Sequence, residues 1–142
     1  VMSFNRFKRG PRIKVSPREE RTYNGELFAS KAEMEYYRDV LCFLLAGTHI
    51  SELERQPKFT LGCPENVYRA DFKYFDVGSQ EWRVADVKGM TTAAFARHRR
   101  LWSIYGPCPL HIVKRSGKKF KTVEIVVPGV KLARKKRTSS KR

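Results

Sequence analysis

Acidic residues are scarce in this chain: 14 Asp and Glu stand against 30 Lys and Arg, for a formal net charge of +16. Cysteine is also sparse. Cys42, Cys63 and Cys108 are odd in number, lie far apart and form no C-x-x-C pair. That excludes a disulfide framework or a zinc ribbon and fits a reducing, cytosolic setting. No run of 18 apolar residues occurs, so no transmembrane helix is expected. The basic start has no apolar stretch behind it and does not read as a secretory signal.

What is present suits a packed body. With 142 residues, 41% of them apolar and 12% aromatic, the chain is long enough for one core and too short for two. The charge is unevenly spread. Residues 1–31 hold eight Lys or Arg against three acids, and residues 114–142 hold twelve against one. Between them, residues 32–113 hold ten of each, so the whole excess lies at the two ends. A neutral body with basic ends is suited to gripping a polyanion, through Arg6, Lys8, Arg9, Arg12 and Lys31 at one end and Lys118, Lys119, Arg134, Lys135, Lys136 and Arg137 at the other. A solubility tail or a localisation signal is the plainer alternative. Membrane binding is disfavoured because A-R-K-K-R-T-S-S-K-R carries no bulky apolar residue to insert.

Residues 1–22 read as a basic arm, 23–128 as one folded domain and 129–142 as a basic tail. Asn24-Gly25 signals a type I′ hairpin. Ser30 then opens a helix, S-K-A-E-M-E-Y-Y-R-D-V-L-C-F-L-L-A-G, that ends before Gly47. Strands are expected at 57–61, 68–74 and 82–88, with Tyr68, Ala70, Phe72 and Tyr74 on one face of the second. A helix capped by Thr91 or Thr92 follows, then strands at 109–113 and 121–127. The order predicts an α/β domain with a mixed central sheet and flanking helices, including a right-handed βαβ crossover.

The stretch W-R-V-A-D-V-K-G, residues 82–89, places Asp86 and Lys88 on the same strand face, about 7 Å apart. D-x-K alone is common on exposed strands. If the preceding hairpin pivots on Gly78-Ser79, paired positions sum to 157 and Asp71 lies across from Asp86. Two facing carboxylates repel unless something positive sits between them, and a divalent cation is a natural occupant. Glu33 falls on the apolar stripe of the first helix with Tyr37, Val40, Leu41 and Leu44. It is either a third acid of such a site or the return half of a capping box with Ser30. Metal-held water beside a lysine is what phosphodiester hydrolysis needs.

Taken together, F-x-S-K-x-E (28–33), L-E-R-Q-P-K-F-T-L (53–61), Y-R-A-D-F-K-Y (68–74) and D-V-K-G (86–89) followed by T-T-x-x-F resemble the PD-(D/E)XK nuclease superfamily. More narrowly they resemble small phage-encoded proteins, over roughly residues 23–113. The resemblance implies a restriction-endonuclease-like αβββαβ core. It implies Asp71, Asp86 and Glu33 as metal ligands together with the Val87 carbonyl, Lys88 as the catalytic lysine, and Mg²⁺ as cofactor with Mn²⁺ as substitute. Ala70 stands where the motif has proline, and the second acid is aspartate. His98 stands where the narrower group commonly has lysine. On its stripe with Phe95 and Trp102 it is either a core histidine or, like Ser30, a residue at the edge of the site.

The expected activity is phosphodiester hydrolysis of DNA, structure-selective towards Holliday junctions or other branched DNA, in phage recombination or processing. Arg97, Arg99 and Arg100 on the second helix join the backbone-gripping set, since phosphate contacts give position rather than sequence. A homodimer is implied by analogy with resolvases. A nicking or single-strand-specific endonuclease is the alternative within the class, and a non-catalytic basic nucleic-acid-binding protein is the alternative outside it.

Overall fold

The computed structural model describes residues 14–132. After a short 3-10 turn at Arg18–Arg21, β1 (Thr22–Tyr23) and β2 (Glu26–Leu27) pair through Asn24 and Gly25. Both turn residues have positive φ, at 49° and 76°, as the type I′ turn requires.

The first helix begins where expected, with Ser30 Oγ accepting from the Glu33 N–H at 3.1 Å. It is not uniform. α1 (Lys31–Tyr36) passes through a π-helical turn at Tyr37–Leu41 into α2 (Cys42–Ala46). The wider turn shifts the helical phase, so one stripe at a 3.6-residue period describes only part of it. Four successive residues, Glu33, Met34, Glu35 and Tyr36, are buried. Glu35 is paired with Arg115 at 2.6 Å.

A five-stranded mixed sheet forms the body, in the order β3 (Ile50–Arg55), β6 (Phe72–Asp76), β7 (Glu81–Val87), β8 (Leu110–Ser116), β9 (Lys119–Val126). The β6–β7 pairs Phe72↔Ala85, Lys73↔Val84 and Tyr74↔Arg83 are in the register expected for a pivot at Gly78-Ser79. Asp76 holds that turn by accepting from the Ser79 backbone N–H (2.9 Å) and hydroxyl (2.6 Å). β7 and β8 are parallel, with α3 (Ala93–Tyr105) running between them in the chain; the other pairs in the sheet are antiparallel. Thr92 caps α3, its Oγ1 accepting from the Phe95 N–H at 3.1 Å.

Two strand expectations need correction, and a further strand stands where none is expected. Residues 68–74 are not one strand: β5 (Val67–Arg69) ends before Ala70 and Asp71, and β6 starts after them. β5 pairs with β4 (Lys58–Thr60) in a separate two-stranded ribbon, so the 57–61 segment lies outside the main sheet. One edge of the sheet is β3, whose polar I-S-E-L-E-R gives little alternation and which bulges between Ser51 and Glu54.

The sheet separates two apolar cores. One gathers Phe28, Met34, Leu41, Phe72, Ala85, Val87 and Val113 beneath the first helix. The other gathers Leu61, Tyr68, Ala70, Val84, Phe95, Trp102, Leu110 and Val126 around α3. Tyr68 and Ala70 thus serve one core and Phe72 and Tyr74 the other. Residues 129–132, assigned to the tail from composition, lie against α3: the Gly129 N–H donates to Ser103 O at 2.8 Å and Leu132 packs on the second core. Among the described residues no helix is long and apolar enough to cross a membrane.

Trp102 is the hub of the second core. It is fully buried, packs edge-on against Phe59 at 4.8 Å, and donates from Nε1 to Cys108 O at 2.7 Å. Trp102→Ala should lower stability by about 3–5 kcal/mol, read as a fall in the urea midpoint at unchanged slope; a loss below about 1 kcal/mol would contradict this packing.

Candidate metal-binding site at the end of strand β7

β7 is buried on both faces from Val84 to Val87. Alternation sends Ala85 and Val87 into the first core and Val84 with Asp86 towards α3. Asp86 has no exposed surface. Its Oδ1 lies 2.9 Å from Lys88 Nζ, and its Oδ2 accepts from the Tyr68 hydroxyl. The ammonium also sits 4.8 Å from the centre of the Phe95 ring, a cation–π contact that fixes its direction. The Lys88 side chain remains about one quarter exposed (27%), so solvent and a substrate can reach it.

Asp71 occupies the break between β5 and β6 and is one step beyond the Phe72↔Ala85 pair. Its Oδ2 accepts from the Val87 N–H at 2.7 Å, which brings the carboxylate to the β7 end beside Asp86. Glu33 reaches the same place from the first turn of α1 and is 2% exposed. The Ser30 half of the capping box is formed, while Glu33 Oε1 is buried with no hydrogen-bond partner among the described residues. Asp86 Oδ1 is likewise without a well-directed hydrogen bond, its contact with Lys88 being an ion pair.

The electrostatics follow from crowding. Burial, then the Asp86 charge, then that of Glu33 push the Asp71 carboxyl up to about 9, against a smaller downward pull from the Val87 N–H. Burial also raises Glu33, with Asp86 adding to it and Arg55 and Lys88 opposing. Three acids therefore sense one another, and without a counter-ion they do not all ionise at neutral pH. Among the described residues no three His, Cys, Asp or Glu side chains are closed around a common point as metal ligands. The donor chemistry nevertheless suits a hard divalent cation: oxygen ligands, two of them buried and lacking hydrogen bonds.

The other expected site residues divide. His98 is half-buried, its ring 5.0 Å from that of Tyr68. Burial lowers its pKa, as do the Arg97 and Lys88 charges, so it borders the site without touching Asp86 by hydrogen bond. Arg97 donates to Asn66 Oδ1, and Arg99 is held by Glu124 with Nε at 2.8 Å from both oxygens. Lys31 pairs with Glu20 at 3.5 Å. Arg100 at the α3 surface and Lys118 and Lys119 at the β8–β9 turn are exposed and have no ion-pair partner among the described residues. Arg6, Lys8, Arg9, Arg12, Arg134, Lys135, Lys136 and Arg137 lie outside the described residues. A cleft of about 410 Å³ is lined in part by Phe95, Arg99, Lys114 and Glu124.

Two residues of the site escaped the sequence reading. In the sequence Tyr68 falls on an apolar strand face, and nothing in Y-R-A-D separates a tyrosine with a job for its hydroxyl from a core ring. Arg55, at the end of β3, lies 3.7 Å over the Phe28 ring, donates to Leu27 O (3.0 Å) and Glu26 Oε2 (2.9 Å), and is the cation whose charge most opposes the upward shift of Glu33. Its signal was hidden because the strand carrying it has no clear alternation.

Asp71 makes a pH prediction with a definite sign. Its folded-state pKa is above the unfolded value near 3.8, so its contribution is most favourable below that value and is lost as pH rises towards about 9. In metal-free buffer, Asp71→Asn should therefore be more stable than wild type at neutral pH, with the gain growing between about pH 5 and about pH 8.5. Thermal melts with EDTA check this; a variant that loses stability equally at both ends of that range would contradict it.

Comparison with known proteins gives a family without an assigned activity. No curated protein and no solved structure matches the chain. One family model does, described as a protein of unknown function (DUF1064), over residues 18–122. That span runs from the 3-10 turn into β9 and includes Glu33, Asp71, Asp86 and Lys88. The chain belongs to the DUF1064 family.

Proposed function

We propose that the protein is a metal-dependent DNA endonuclease of the PD-(D/E)XK kind. The observation that carries this reading is the convergence of Asp71, Asp86 and Glu33 on the end of β7, with the Lys88 ammonium 2.9 Å from Asp86 Oδ1 and two buried carboxylate oxygens left without hydrogen bonds. The element order supports it: with the β4–β5 ribbon as an insertion between β3 and β6, a helix, the antiparallel strands β3, β6 and β7, the crossover helix α3 and the parallel strand β8 come in the order of a restriction-endonuclease-like αβββαβ core.

Asp71, Asp86 and Glu33, with the Val87 carbonyl, would hold Mg²⁺, or Mn²⁺ in its place. When bound there, the ion polarises the phosphoryl oxygens and lowers the pKa of an attacking water. The chain's own groups do the rest. Lys88 is aimed by Asp86 and Phe95, and its ammonium offsets charge developing on the phosphate. Beside the carboxylates it serves as an electrostatic group. Burial of the acids keeps their field strong by excluding water.

DNA is the substrate the charge distribution favours, with the basic ends gripping backbone. Arg100, Lys118 and Lys119 extend that grip onto the folded body. Branched DNA, cut by a homodimer, is the preferred target, since two strands of a junction must be cut symmetrically.

The direct test is cleavage in Mg²⁺ of a panel of four-way junction, flap, single-stranded and linear duplex substrates. Junction or flap cutting by wild type is expected, and preference for single strands or nicking would select the alternative enzyme. Lys88→Ala should reduce cleavage by about 10²-fold or more while leaving DNA affinity unchanged. Equal cutting by the two proteins would end the catalytic assignment of Lys88, and a wild type that binds DNA but cuts none of the substrates would favour a basic binding protein. Removal of residues 133–142, which carry six of the cations, should lower DNA affinity and flatten its salt dependence. An unchanged slope in log affinity against log salt would remove the tail from the interface.

A further inference from the structure

The β4–β5 ribbon contributes no strand to the main sheet, yet it delivers one hydroxyl to the most buried acid in the protein. Tyr68, in the middle of β5, is 3% exposed and donates to Asp86 Oδ2. Its ring is held from two sides, by His98 at 5.0 Å and edge-on by Trp102 at 5.9 Å. With Oδ2 taken, Asp86 turns Oδ1 alone towards Lys88. The carboxylate cannot rotate without losing the phenol, and the phenol cannot move without disturbing α3.

We propose that Tyr68 is a positioning residue that fixes the orientation of Asp86, so that a single carboxylate oxygen is presented to a divalent cation and to Lys88. This rests on the endonuclease reading above and adds to it a residue outside the D…D-x-K set. A buried tyrosine in an apolar core needs a partner for its hydroxyl, and a backbone carbonyl is the usual one. Here the partner is the ionisable group itself. Groups that hydrogen-bond a metal's ligands set the geometry in which those ligands are offered, and their loss typically weakens metal binding by about 10–100-fold.

The test is calorimetric titration of the purified full chain with Mn²⁺, well below the melting temperature. Tyr68→Phe keeps the ring and its contacts with His98 and Trp102 and removes only the donor. It should raise the Mn²⁺ Kd by about tenfold or more. Phe59→Leu is the control, because Phe59 packs on the same Trp102 without reaching Asp86; its Kd should match wild type. Should Tyr68→Phe fail to fold, Tyr68→Leu also lacks the donor, and its Kd is read against Phe59→Leu, which likewise removes a ring packed on Trp102. Equal affinity in the donor-less variant and wild type overturns the role of Tyr68 and leaves the endonuclease reading standing. An equal loss in Phe59→Leu also overturns it, since general loosening of the core would then explain the effect. A wild-type protein that takes up no Mn²⁺ overturns both.

Discussion

Negative charge buried faster than it is compensated is the constraint on which the rest of this structure turns. Asp86 is fully enclosed, Glu33 nearly so, and Asp71 is drawn in beside them by the Val87 N–H. Desolvation of this kind is expensive, and the protein answers with one ammonium, one guanidinium, one phenol and one backbone amide. That is too little for three carboxylates at neutral pH, as the upward shift of Asp71 records. A fold does not gather acids in this way for stability, since apolar residues of the same volume would pack at lower cost. The arrangement makes physical sense when a cation is part of the working state.

Each element contributes to that gathering through an ordinary local rule. The Asp76–Ser79 turn sets the β6–β7 register, which aligns Asp71 with Asp86. The Ser30 cap starts α1 where its first turn can place Glu33 at the end of β7. Parallel pairing of β7 with β8 requires a crossover, and α3 supplies with it the Phe95 ring that steers Lys88 and the Trp102 and His98 rings that hold Tyr68. The two cores on either side of the sheet then make these positions rigid, which a preorganised electrostatic site needs.

Much of this was legible in the sequence because it depends on short-range signals. Gly78-Ser79 marked the hairpin pivot, and a period of two put Asp86 and Lys88 on one face. Ser30 and Thr92 announced the helix starts. What escaped depends on long-range geometry. The alternation of 68–74 suggested one straight strand, yet the chain breaks at Ala70-Asp71 so that Tyr68 and Phe72 serve opposite faces of the sheet. β3 was hidden because a bulged outer strand needs no regular pattern, and with it went Arg55. The π-helical turn in the first helix left no compositional mark.

The central claim is that the acids of separate segments share an ion. A crystal of the full chain soaked in Mn²⁺, with data collected at the manganese absorption edge, tests it most directly. The account predicts an anomalous peak within coordination distance of the Asp71 and Asp86 carboxylates, at the end of β7. A protein that crystallises with this fold and shows manganese elsewhere, or none at saturating concentration, would contradict it.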